Sequence, residues 1–162
     1  PMVPLPFVSE LQTKGRGTMG KKWTSKKGNI FISIFFKINF AKFKIENFLI
    51  INAKIIKKVL QSYTKKIIMI KKPNDLLIEN KKICGILQEI VEHNNKKFLI
   101  TGIGLNTNSV PNNFKLTSTC LNDHTEKNIK NFNIIKSLKK SYEKMICDLN
   151  NNNFTYIKNK YI

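Results

Sequence analysis

Arg16 is the only arginine in this 162-residue chain, and it stands between two glycines, Gly15 and Gly17. Gly20 and Gly28 follow, so residues 12–28 hold four of the seven glycines, together with the only tryptophan, Trp23. Glycines two and three apart allow positive φ angles and leave backbone N–H groups uncovered by Cβ atoms. A loop of that kind, rimmed by Lys14, Arg16, Lys21 and Lys22, is suited to closing over an anion. An ordinary connection between two strands could carry the same spacing. The other three glycines favour the first reading. Gly85, Gly102 and Gly104 fall within or at the ends of predicted strands, where glycine costs stability and commonly marks close approach of a ligand or another backbone. All seven therefore lie in three segments, 12–28, 71–85 and 102–106, two of which carry cationic residues between apolar strands. That is the pattern of a pocket assembled from loops on a sheet.

The elements that must hold this pocket read as follows. Phe7–Leu11 is a short strand that delivers the chain into the loop. Ile30, Ile32, Ile34, Phe36 and Ile38 alternate with Phe31, Ser33 and Phe35, which predicts a strand covered on both faces. Over Glu46–Tyr63 the period changes to that of an amphipathic helix, with Phe48, Leu49, Ile55, Ile56, Val59, Leu60 and Tyr63 on its apolar stripe. Ile67–Ile70 is a strand stopped by Pro73. Leu76–Glu79, Ile83–Val91 and Phe98–Ile103 form a three-stranded meander, with turns at Asn80–Lys82 and His93–Lys97. Residues 108–130 are polar and loop-like. Phe132–Leu149 returns to helical spacing, the asparagine run Asn150–Asn153 ends that helix, and the last nine residues read as a frayed turn.

The 29 basic against 10 acidic residues give a formal charge of +19. A charge of that size raises nucleic-acid binding as a function. The lysines are scattered, however, without an arginine-rich helix or a basic–aromatic repeat, so we read them as a solvated coat and expect no specific nucleic-acid site. No apolar run is long enough to cross a bilayer, and no signal-peptide pattern opens the chain. Cys84, Cys120 and Cys147 are odd in number and widely spaced, which points to free thiols in a reducing, cytoplasmic setting. The hydrophobic fraction of 41% supports a folded globule at a length suited to one domain. His93 and His124 sit in polar turns with no partner that would make either a ligand or a base.

Three stretches, QTKGRGTMGKKW (12–23), KKPNDLLIENKKICGI (71–86) and GIGLN (102–106), resemble the signature segments of biotin–protein ligases, in the family's order and at about its spacing. The resemblance covers residues 7–111 well and the helix from Phe132 more loosely. It implies an α+β fold with a mixed central β-sheet and packed helices, related to lipoate ligases and to class II synthetases. It also implies two reactions: biotin and ATP give biotinyl-adenylate and pyrophosphate, and a lysine of a biotin carboxyl carrier domain of a carboxylase then takes the biotin. Within that resemblance Lys82 stabilises charge on the carboxylate–phosphate bridge; read by itself, it is a solvent-facing turn lysine. Arg16, with the Gly15 and Gly17 backbone, closes over the adenylate, and Gln12 hydrogen-bonds the ligand. Gly85 opens its backbone to biotin, with Ile86 beside it. Trp23 packs on the adenylate or braces the loop. Asn74 and Asp75 place the nucleotide, Asp75 with Mg²⁺, and Asn106 reads the adenine edge. Homodimerisation is compatible with this reading.

The chain departs from the family pattern where Lys72 replaces a tryptophan and Thr18 a second arginine, and the second change predicts a leakier intermediate. Nothing matches the family's serine/threonine segment before the glycine loop or its C-terminal β domain. We therefore expect residues 1–162 to form a single catalytic domain lacking both, and the Pro1 start to mark a fragment. Three other readings are a lipoate- or octanoate-attaching relative, a basic nucleic-acid-binding module, and a non-catalytic relative that keeps only the fold.

Overall fold

The computed structural model describes residues 4–38, 43–111 and 117–162. Six strands form one sheet in the order β1-β2-β6-β5-β4-β3: β1 (Leu5–Ser9), β2 (Ile30–Lys37), β3 (Ile68–Lys71), β4 (Asp75–Ile78), β5 (Lys81–His93) and β6 (Lys96–Leu105). Three helices, α1 (Ile45–Gln61), α2 (Asn131–Asn151) and α3 (Phe154–Tyr161), complete the α+β architecture. The pairs between these strands are all antiparallel, and among the described residues parallel geometry enters as one bridge between Lys82 and Ser118. Short connections account for this. The β4–β5 turn is Glu79–Asn80 and the β5–β6 turn Asn94–Asn95, all four with positive φ, which asparagine tolerates in two-residue hairpins. The first of these turns lies one residue earlier than the sequence predicts, which places Lys82 inside β5.

Alternation divides each strand between two environments. On β2, Ile30, Ile32, Ile34 and Phe36 are 1–2% exposed and face the helices. The expected cover on the opposite side holds fully for Phe31 and partly for Ser33 and Phe35. The α1 stripe buries Phe48, Ile51, Ile55, Ile56, Val59 and Leu60 against it, while Ile134, Leu138, Tyr142, Met145 and Ile146 close the layer from α2. One polar chain crosses this core. Tyr142 Oη donates to Asn52 Oδ1 (2.8 Å), and Asn52 Nδ2 donates to Thr101 Oγ1 (3.1 Å), so every buried partner is satisfied.

The C-terminus differs from its sequence reading. Residues 154–161 form a helix rather than a frayed turn, because Asn153 caps it by accepting from the Tyr156 amide and Ile157 is fully buried. Among the described residues no helix is long and apolar enough to cross a membrane.

Candidate active site

The helix-free face of the sheet carries most of the candidate residues. In register across it run Ser9, Phe31, Gly104, Gly85, Asp75 and Lys71, one residue from each strand. Gly85 and Gly104 are direct partners in this row, and the Trp23 indole lies on them. A Cβ at Gly85 would stand 2.5 Å from indole Cζ3, and one at Gly104 2.5 Å from Cε2. Two paired glycines thus make a slot of indole thickness, and neither tolerates a side chain while the indole stays. The resemblance implies that Gly85 opens its backbone to biotin; in the structure the indole covers it, because the loop folds back over the sheet. The indole Nε1 is buried with no acceptor among the described residues.

A bulge aims the key lysine. Asp75 pairs with Gly85 and Leu77 with Lys82, so three steps on β5 match two on β4. The extra residue lets both Ile83 and Cys84 point into the core, each 0% exposed, and turns Lys82 onto the open face. There Lys82 Nζ meets Asp75 Oδ1 at 2.6 Å and stands 5.2 Å above the Trp23 ring centroid. The side chains are 24% and 22% exposed, enough to meet a ligand and shielded enough to strengthen the pair. The lysine backbone is held as well: its N–H donates to Thr117 O and its carbonyl accepts from Thr119 N, each at 3.0 Å. Burial pushes the neighbouring Cys84 thiol up to about 12, against the pull of Lys82, so it stays protonated and inert.

The glycine loop covers the slot. Gly17 N donates to Lys21 O (2.7 Å) and Trp23 N to Gly15 O (2.9 Å), which folds the loop on itself. Gln12 Oε1 accepts from Ser25 Oγ (3.2 Å), so its amide is engaged inside the loop. Arg16 Nη2 donates to Glu89 Oε2 (2.8 Å) on β5. Beneath this loop lies a hollow of about 670 Å³ lined by Gln12, Arg16, Gly17, Trp23, Asn74, Asp75, Lys82, Gly85 and Ile86 among others. Its charged lining is Lys14, Arg16, Lys21, Lys22, Lys71, Lys72 and Lys82 against Asp75 and Glu89, an excess that favours anionic ligands.

The structure brings nearly all of the candidate residues to this hollow. Gly15 borders it from the adjoining groove under the loop tip. Asn74 brackets β5 by donating to Ile86 O while its own carbonyl accepts from Ile86 N, and Ile86 offers backbone because its side chain is core. Asn106 is not part of the lining. It is 2% exposed and donates from its backbone to Ile83 O, and its carbonyl accepts from Leu121 N. It therefore braces the segment beside Lys82 rather than reaching the hollow. Its Oδ1 is buried with no donor among the described residues. Glu89 escaped sequence reasoning, although it continues the Gly85, Leu87 alternation on β5. So did Asn29, whose Oδ1 accepts from the amides of Thr107, Asn108 and Ser109 and fixes the chain leaving β6.

Comparison with known proteins points to one family. The family model described as "Biotin/lipoate A/B protein ligase family" matches residues 2–106. The bifunctional ligase/repressor BirA of Bacillus subtilis is 31% identical over 157 residues, 93% of this chain and 48% of that protein. The chain thus spans about half the length of that curated relative. Among solved structures, biotin protein ligase from Aquifex aeolicus in complex with biotin and ATP superposes with a TM-score of 0.77 at 28% identity, over 96% of this chain and 66% of that one. A Plasmodium falciparum LipL1 structure in complex with lipoate shares the fold at a TM-score of 0.52 and 20% identity, covering 77% of this chain and 37% of that one.

Proposed function

The chain belongs to the biotin/lipoate A/B protein ligase family, and from that premise we propose that it is an ATP-dependent biotin–protein ligase. The observation that supports this most is the joint placement of Lys82, Asp75, Trp23 and the Arg16 loop around one cation-rich hollow. In the proposed first step a biotin carboxylate oxygen attacks the α-phosphorus of ATP. The bond to the bridging oxygen breaks, and pyrophosphate leaves with the electron pair. Lys82, poised between Asp75 and the indole, stabilises the charge that gathers on the phosphorus centre and its bridge. Arg16 and the loop amides shield the mixed anhydride from water. In the second step a carrier-domain lysine attacks the acyl carbon and AMP departs.

Magnesium would enter on the nucleotide. Among the described residues no three His, Cys, Asp or Glu converge on a metal position; Asp75, beside Lys82, is the carboxylate that would help hold the ion, which would offset phosphate charge there. The acceptor, a biotin carboxyl carrier domain in a cytoplasmic setting, follows the same reading.

Calorimetry with biotin, with and without ATP, tests the assignment. Biotin should bind alone and more tightly with nucleotide, and labelled ATP should yield an adenylate. A titration without heat at any nucleotide concentration would overturn it. The same assay with lipoate in place of biotin separates the acyl substrates.

A further inference from the structure

The open face of the sheet is apolar along the row Leu5, Phe35, Ile100, until it reaches Glu89 on β5. Among the described residues that carboxylate has Arg16 as its ion-pair partner, at 2.8 Å. The glycine loop is self-bonded, and Trp23 anchors its C-terminal stem on Gly85 and Gly104. Its arm at Gly15–Gly17, which pairs with Lys21–Trp23 and leads into the tip at Thr18–Gly20, is tied to β5 by the Arg16–Glu89 ion pair. We propose that Glu89 is a positioning residue, a latch that holds Arg16 and with it the loop tip over the hollow.

Exposure sets how the latch works. The Arg16 side chain is 70% exposed and that of Glu89 35%, so the pair is weak and screened by salt. It can open to admit an anionic ligand and close again behind it. On the ligase reading, from which this consequence follows, Glu89 governs how long the activated intermediate stays enclosed.

Limited digestion of the full chain by a protease cutting after lysine and arginine tests the latch without any ligand. In Glu89→Gln the Arg16–Gly17 bond should be cut about fivefold faster at low salt, the factor expected for losing one exposed ion pair. The difference should vanish at about 1 M salt, where the screening length falls to about 3 Å. Glu89→Asp should lie between. Equal rates at low salt, or a difference that salt leaves intact, would overturn the latch. A second readout loads wild type and Glu89→Gln with biotin and ATP. Adenylate escape should quicken by a similar factor; escape as slow as in wild type would also overturn it. Should wild type form no adenylate while the digestion difference persists, the ligase reading fails and the latch stands.

Discussion

On the helix side of the sheet, Phe48, Ile51, Ile56, Leu138 and Tyr142 are fully buried, and their one polar chain is satisfied at every link. On the other side Arg16, Lys82 and Asp75 keep 70, 24 and 22% of their side-chain surface, and the Trp23 indole nitrogen has no acceptor among the described residues. The same strands build both. On β5, Cys84 and Ile86 point into the core while Gly85 and Leu87 face the hollow; on β6, Ile103 and Leu105 alternate with Gly102 and Gly104. Pleating therefore lets the protein place its core on one surface and the candidate site on the other, with a shared backbone as the rigid frame between them. Substitutions on the two faces should be distinguishable in kind as well as in size.

The largest effect should come from the dry face. Phe48→Ala leaves a cavity in the centre of the α1 packing and should cost about 3–5 kcal/mol in denaturant unfolding. Adenylate formation by the fraction still folded should remain close to wild type. A specific loss in the folded molecules would break the separation of the faces. Lys82→Ala should do the reverse. Adenylate formation should fall by about 10²–10³-fold, in line with removing one preorganised electrostatic contact, while the unfolding midpoint barely moves. Unchanged adenylate formation in that variant would remove the leading site residue.

Gly104→Ala probes the glycine slot itself, because the new methyl would meet the indole at 2.5 Å. Trp23 is the chain's only tryptophan, so its emission reports on this slot alone. The indole should leave it, emission should shift to the red, and adenylate formation should fall roughly tenfold to a hundredfold through misplacement of Lys82. Gly102→Ala is the control. Its nearest neighbours are Leu87 O at 3.6 Å and Leu87 Cβ at 3.7 Å, ordinary contact, and emission should stay put. Identical spectra for the two variants would show that the slot does not hold the indole.

Local patterns were legible in the sequence, and long-range ones much less so. The α1 period, the two-faced β2 strand and the meander follow from spacing alone, and the three glycine clusters did mark one hollow. Lys82 read as a turn residue because a bulge at Ile83–Cys84, which no periodicity announces, reorients it. Gly85 does line the hollow, but the indole that lies on it comes from Trp23, a contact between distant parts of the chain that spacing does not announce. Glu89 drew no notice, since only strand pairing reveals the apolar row beside it. Asn106 drew attention through its motif, yet its hydrogen bonds make it a brace for the segment beside Lys82. The α3 helix was obscured by the asparagine run, in which Asn153 proves to be a cap.

The smallest expected effect concerns α3, on the dry side. Asp148 Oδ2 accepts from Lys160 Nζ and from Tyr161 Oη, each at 2.6 Å, which ties α3 to α2. Burial alone would raise the carboxyl, but Lys160 and the Tyr161 hydroxyl outweigh it and hold Asp148 below its ordinary 3.8. The hydrogen bond to Asp148 in turn raises Lys160 above its ordinary 10.5. A lowered carboxyl stabilises fully above its unfolded value and loses that contribution as pH falls through the folded value. A raised amine stabilises fully below its unfolded value and loses it as pH rises through the folded one. The tie should thus be constant from about pH 5 to about pH 9 and weaken on both sides. Asp148→Asn should lower the thermal midpoint slightly at pH 7, with the difference from wild type gone by about pH 2. Adenylate formation at pH 7 should be the same in both proteins. If it fell along with the midpoint, α3 would be coupled to the hollow through the sheet, and the two faces would not be independent.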